Sequence, residues 1–514
     1  MGTGIQREEH EAVLAKNVRT FIKSNSIEFV FVTLLALILV SGLLIDPIVG
    51  KVNNGDFGRL FRLGGLMDVS SSYTDIYDGF VHKKYKVFYL LLLLPWGADW
   101  VFGAVVLKIT VAINFIFYPF GVTLFDIRVQ TFLYCVLFVS GVFCMLTYKK
   151  FSPVHKTVLG IFILAFFTDI NYIAYFNSFY GEAATIVFFF LTIGTYLLLI
   201  SKEVYNLKLL IAFFISSLGF LTSKAQQIPL LLFMLFIYGA LYVACADKKL
   251  KKTVLKLSTF VIVFCSLVYV SIGDYTNKNN LYQAVFTGVL KGSSNPEGDL
   301  QELGLDPEFA SLAGTGFYDK NLSYDPLGKE MADKFYPKAS RSRILLYYLK
   351  HPARIFEKAN NSASHAYDFY TLNESNFAKG EFTKDKFFNQ FRVGLVNSFP
   401  SIHRNIYVFI GFSSIYFALC MFYFTRCKER DTRLLILLLL FILLCGFSQL
   451  FLPVLGSGEA DFGKHLFLIN LAYDTMAGVA LLYVVSLAKN IVGILQGKKR
   501  HRTKTIDKTN IDLG

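Results

Sequence analysis

The sequence predicts an all-α membrane protein: about ten transmembrane helices with one mainly helical insertion on the extracytoplasmic side. Three observations carry this expectation. The chain is 54% hydrophobic and 17% charged, with 53 Phe and 29 Tyr in 514 residues, more apolar surface than a soluble core hides. Apolar runs of roughly 18 to 22 residues, enough to cross about 30 Å of hydrocarbon, recur along almost all of it. Short basic loops separate many of these runs.

The elements follow in order. Residues 1–26 form a charged cytoplasmic segment. The first apolar run, 27–46, is too long for a secretory h-region and lacks an A-x-A-like cleavage site, so it reads as a retained signal anchor. A long first outer loop, 47–127, precedes runs at 128–147, 157–173, 183–201, 208–223, 228–246 and 256–272, giving a membrane core over 27–272. Residues 273–404 are the hydrophilic insertion, where "LYQAVFTGVL", "DPEFASLAG" and "RSRILLYYLKHPARIFEKAN" carry helical spacing between Gly-, Asn- and Pro-rich linkers. Runs at 405–425, 433–453 and 466–488 form the C-terminal helices over 405–488, and 489–514 is a basic cytoplasmic tail.

With "KNVRTFIKS" inside, alternation puts "YKKFSPVHK", "SKEVYNLK", "ADKKLKKTVLK", "RCKERDTR" and "GKKRHRTK" on the same side, as the positive-inside rule requires. The stretch 87–121 is apolar enough to enter the bilayer, but one extra crossing would invert every later loop. It reads as interfacial helices or a re-entrant pair interrupted by Pro95 and Gly97; two full crossings would keep the same sidedness and make twelve helices. The net charge of +14 is spread over these short clusters and forms no nucleic-acid module, so the expected partner is a lipid bilayer and not nucleic acid. The seven cysteines have neither disulfide-framework nor metal-ligand spacing.

The same alternation sends the unusual polar groups to the opposite, outer side. "NNGDFGRL" (53–60) contains Asp56 and Arg59; "YFNSFYGEA" (175–183) places Glu182 where the fourth span begins; "TSKAQQIP" (222–229) contains Lys224 and Gln226; "GSGEADFGKHLF" (456–467) contains Glu459, Asp461, Lys464 and His465. Each has a plain explanation: a local ion pair for Asp56 and Arg59, helix-dipole capping for Glu182, a snorkelling anchor for Lys224, exposed loop charge for the last group. The two Asp-Phe-Gly copies lack the Gly-rich and catalytic loops of a kinase. The residues fix no cofactor; Mg or Mn is the open possibility, with Asp56, Glu459 and Asp461 as candidate ligands. Asp474, inside the last span, should face the protein interior or a wet cavity. A transporter would gather its charges at the bilayer midplane, whereas these acids and bases converge at one membrane face.

The pattern of a signal-anchor span, an acidic motif opening a long outer loop and polar outer loops closing a site resembles the GT-C glycosyltransferases. More narrowly, "DFGRL", "FNSFYGEA", "LYQAVFTGVL" and "GSGEADFGKHLFL" look like the bacterial glycan-biosynthesis hexose transferase family associated with S-layer glycoprotein glycosylation. The resemblance implies a polytopic plasma-membrane enzyme that moves a sugar from a polyprenyl-phosphate carrier to a glycan or lipid acceptor on the outer face. It also implies Asp56 as the base. Departing phosphate calls for preplaced cations, for which Arg59, Lys224, Lys464 and His465 are the candidates; Glu182, Gln226, Glu459 and Asp461 would bind sugar or orient the cations. The alternatives are a lipid-linked glycan polymerase or ligase, and a non-enzymatic flippase or transporter of the same lipids.

Overall fold

The computed structural model describes residues 20–77, 79–88, 99–117, 123–368, 372–382 and 385–511. Helix α1 (Ser26–Leu43) leads into a long loop holding α2 (Phe57–Phe61), β1 (Leu66–Met67), β2 (Lys84–Val87), α3 (Phe102–Phe117) and β3 (Leu124–Asp126). Then come α4 (Ile127–Leu146), α5 (Pro153–Phe166), α6 (Gly181–Ile200), α7 (Leu207–Leu221), α8 (Leu231–Ala244) and α9 (Lys248–Val270). The insertion contains α10 (Arg341–Lys350) and α11 (Pro352–His365), and α12 (Ile406–Arg426), α13 (Arg430–Ser448) and α14 (Phe467–Ile511) follow it.

The protein is a mostly helical, multi-pass membrane protein. Eight of the described helices are long and apolar enough to cross a bilayer: α1, α4, α6, α8 with the turn before it, α9, α12, α13 and the Phe467–Val492 part of α14. A further pair, α5 and Ile170–Asn177, passes the same test only jointly and is bent by 70° between its two parts, the form of a broken span or a re-entrant loop. Helices α3 and α7 are apolar but have only 16 and 15 residues, about 24 Å or less at 1.5 Å per residue. Every expected span thus coincides with a helix, with 157–173 bent and 208–223 short. Within 87–121 the described part is the end of β2 and α3; Pro95 and Gly97 lie outside the described residues.

One small feature departs from an all-helical reading. β1, β2 and β3 form an antiparallel sheet, with Leu66 opposite Val87 and Lys84 opposite Asp126. Its longest strand, Lys-Tyr-Lys-Val, alternates exposed and buried over four residues, too few for a period of two to register in a sequence window.

The helix entries are written locally. Asp126, Ser152, Asn206, Asp247 and Asn405 each accept a hydrogen bond from a backbone N–H in the first turn of the helix that follows, supplying one of the partners a helix start lacks. Packing centres on α6, which is almost wholly buried. A side chain at Gly194 would run into the Gly141 carbonyl of α4, the close approach that small residues allow between membrane helices.

The loops sort to two ends. At one, Lys149 pairs with Asp431 at 2.6 Å, Lys150 with Glu429 at 2.7 Å, and Arg430 stacks over Tyr205, so three short basic loops meet. At the other lie the long loop after α1 and the insertion, whose expected helical pieces are all present. α10 and α11 break at His351-Pro352, where proline disfavours helix in the preceding residue. Arg392 of the insertion is buried against Asp474 of α14, its guanidinium 4.2 Å from the Tyr172 ring centre and 4.9 Å from that of Tyr367. Both tyrosine hydroxyls donate to the same carboxylate, at 2.7 and 2.9 Å. Asp474 therefore faces the interior as an anchor between insertion and membrane helices.

Candidate functional site

The site begins with "FNSFYGEA", whose backbone and side chains staple the first outer loop in place. The Asn177 amide donates to the carbonyls of Leu43 and Val49, at 2.9 and 2.8 Å, and its oxygen accepts from Thr131 at 2.6 Å. The Tyr180 hydroxyl lies 2.8 Å from both the Val52 carbonyl and the Asn54 side-chain oxygen. Phe57 packs its ring 4.8 Å from that of Tyr180. These contacts set α2, with Asp56 at its start, at the polar-loop end of the bundle.

Lys464 arrives from 408 positions away. Its ammonium lies 2.5 Å from Asp56 and 2.7 Å from Asp461, over the Tyr180 ring at 5.3 Å. Asp461 takes a left-handed backbone conformation (φ 52°) at the start of the Phe462–His465 turn, one of the few non-glycine residues that tolerate it. Arg59 pairs with Asp56 at 3.3 Å and keeps 43% of its side chain exposed, so it remains reachable by a ligand. Burial pushes the Asp56 carboxyl up, but Arg59 and Lys464 outweigh it and hold the group below the usual carboxylate range. Asp56 is ionised at neutral pH.

Glu182, in the first turn of α6, is 2% exposed and receives Lys224 at 2.7 Å. Lys224 also points at the Lys464 carbonyl, 3.5 Å away. The Gln226 amide nitrogen donates to the His465 carbonyl at 2.9 Å and to Gln449 at 2.6 Å, while its oxygen meets His465 Nδ1 at 2.9 Å. Four loops are thereby tied into one polar cluster: Asp56, Arg59, Glu182, Lys224, Gln226, Asp461, Lys464 and His465 all belong to it.

Two expected roles do not fit this geometry. Burial, then the neighbouring Lys224, push the His465 imidazole down to about 3; it is neutral, a hydrogen-bonding group and not a phosphate-binding cation. Glu459 is 4% exposed and held by Lys291 and Lys358 of the insertion, each at 2.9 Å, so its oxygens are taken up by a tie between domains. The turn that aims it there needs Gly458 (φ 62°), since a side chain would collide with the Gln283 carbonyl and the Thr287 hydroxyl. Among the described residues no three His, Cys, Asp or Glu side chains gather to hold a metal ion. The candidate ligands Asp56, Glu459 and Asp461 each face protein cations instead.

A sequence model of the family described as the YfdI N-terminal transmembrane domain matches residues 13–505. The chain belongs to this family. No curated protein and no solved structure matches it. Two residues of this YfdI-type domain lie near the cluster without having been flagged by the sequence motifs. Lys51, just before "VNNGDFG", is buried over the Tyr175 ring at 5.2 Å; burial pushes its amine down to about 8, with Asp169 and Glu182 pulling it back up. Burial, then its hydrogen bond with Tyr275, push the Tyr318 hydroxyl of the insertion up, and Arg59 and Asp56 lie near enough to act on it. A lysine ending an apolar run was the available signal for Lys51; Tyr318, one tyrosine among 29, carried none.

Proposed function

We propose that the chain is an inverting membrane glycosyltransferase, moving a sugar, a hexose by its resemblance, from a polyprenyl-phosphate carrier to a glycan or lipid acceptor. The observation that carries this reading is the bridge of Lys464 between Asp56 and Asp461, with Arg59 exposed beside it. Family membership supplies the membrane setting. A donor with a long isoprenoid tail stays in the bilayer, so its phosphate is met at the level of these loops.

In this reading Arg59 and Lys464 exchange part of their contact with Asp56 for the donor phosphate, and an Arg fork suits phosphate oxygens. Asp56, ionised, takes the proton of the acceptor hydroxyl as that oxygen attacks the anomeric carbon. The bond from that carbon to the phosphate oxygen breaks, and the leaving phosphate carries the electron pair toward Lys464 and Arg59, with Lys224 adding positive charge. Displacement from the opposite face inverts the anomeric centre. Asp461 and Glu182 hold the two lysines in position.

Purified protein in lipid, offered a panel of polyprenyl-phosphate sugars with and without EDTA, tests this. Polyprenyl phosphate is released from at least one donor by the native protein and not by Asp56→Asn. Lipid-linked sugar that crosses the bilayer, with no polyprenyl phosphate released from any donor, would sink the enzyme in favour of a flippase.

A further inference from the structure

The basic end of the bundle holds a cavity of about 290 Å³ that sugar transfer does not use. Residues of α4, α5, α6, α13 and α14 line it, among them Phe162, Phe190, Leu438, Val479 and Leu482. It lies within the membrane-crossing helices and its walls are almost entirely hydrocarbon. Water does not settle in a space so apolar, and an empty one forfeits dispersion contacts along its lining. A hydrocarbon chain is the occupant that the bilayer supplies.

One end of the cavity is different. Tyr148, Lys150, His155 and Ser486 stand there, and His155 links Ser152 to Ser486 through its two ring nitrogens, at 2.6 and 2.8 Å. Lys150 lines this mouth, and Lys489 reaches it through Ser152 and His155. Lys149, Lys150 and Lys156 are matched by Asp431, Glu429 and Glu28, whereas Lys489 donates to the Ser152 hydroxyl at 2.9 Å and pairs with no carboxylate among the described residues. The Tyr148 hydroxyl is buried without a hydrogen-bond partner, an omission that ordinarily costs a folded protein stability unless something fills it. An apolar channel, an unneutralised ammonium at its mouth and an unmet hydroxyl in its wall match one chemistry in sequence: acyl chain, phosphate, ester oxygen.

We propose that this cavity binds an anionic glycerophospholipid of the leaflet at the basic end, its acyl chain between α5, α13 and α14 and its phosphate at Lys489. The charge at the mouth selects an acidic lipid over a zwitterionic one.

The test uses the full chain in nanodiscs containing phosphatidylglycerol with a diazirine at the end of one acyl chain, or phosphatidylcholine labelled the same way. After irradiation, adducts are mapped by peptide mass spectrometry. Adducts should concentrate in 159–167, 435–442 and 475–482, with phosphatidylglycerol favoured about fivefold, the preference one lysine near the surface confers. Val479→Trp, which fills the cavity, should remove them; Lys489→Glu should remove the preference and keep the labelling. Adducts spread over the outward faces of α1, α9 and α12, or equal labelling by the two lipids, would overturn the proposal. The native map decides alone if Val479→Trp does not fold. Sugar transfer plays no part in the readout, so the two proposals fail independently.

Discussion

Two ion pairs, one at each end of the bundle, differ in how far water reaches them. At the basic end, Lys150 and Glu429 keep 34% and 58% of their side chains exposed, and water and salt screen their attraction. At the polar-loop end, Lys224 and Glu182 keep 22% and 2%, and in both pairs the partners come from different loops. Charges withheld from water keep strong fields. Such a field can act on a ligand, while the exposed pairs do little more than match the loops to one leaflet.

The largest expected difference is in activity. Asp56→Asn should lower sugar transfer by about 10²- to 10⁴-fold, the share typical of a positioned base, while Lys150→Ala leaves it unchanged; polyprenyl phosphate release measures both. Equal losses would erase the contrast between the ends. Arg392→Met comes next, stranding Asp474 in the interior. Loss of one partner of a buried pair costs about 3–5 kcal/mol, read by thermal unfolding in lipid, and Arg392→Met with Asp474→Asn should recover part of it.

Acid separates the ends more gently. The folded protein keeps His465 neutral down to about 3, whereas an unfolded chain protonates it near its ordinary value of about 6.5. Between those limits the unfolded state binds the extra proton, so acidification favours unfolding. His465→Gln should therefore lose less stability than the native protein as pH falls through that window, measured by midpoint temperatures at matched pH. The smallest effect belongs to the double variant Lys150→Ala, Glu429→Ala. It should cost about 0–1 kcal/mol and shrink further in high salt.

Much of the candidate site was legible because each motif placed its polar residue beside a membrane span. Asp56, Glu182, Lys224, Gln226, Asp461 and Lys464 were all visible as charges or amides at an apolar boundary, where they are costly and call for a reason. The roles of His465 and Glu459 were not legible. Both stand in the same short loop as Lys464, and residue type alone offered one as a phosphate-binding cation and the other as a group that binds sugar or orients the site's cations. Burial removed the first assignment, and two lysines from the insertion took the second. Arg392 had a faint signal, an arginine within "FFNQFRVGLV", but its partner lies 82 positions away.

By itself the sequence located the apolar runs that become helices and the loops that share an end, because hydrocarbon thickness imposes a length on each span and crossing parity imposes alternation. The tertiary structure alone decided which charges meet, which are neutralised and which stay open to a ligand. Pairing across 408 residues, as in Lys464 with Asp56, depends on how α6 seats against its neighbours and how "FNSFYGEA" pins the outer loop. Local composition has no access to that, since an ion's energy depends on distance and solvent exposure that only the packed fold supplies.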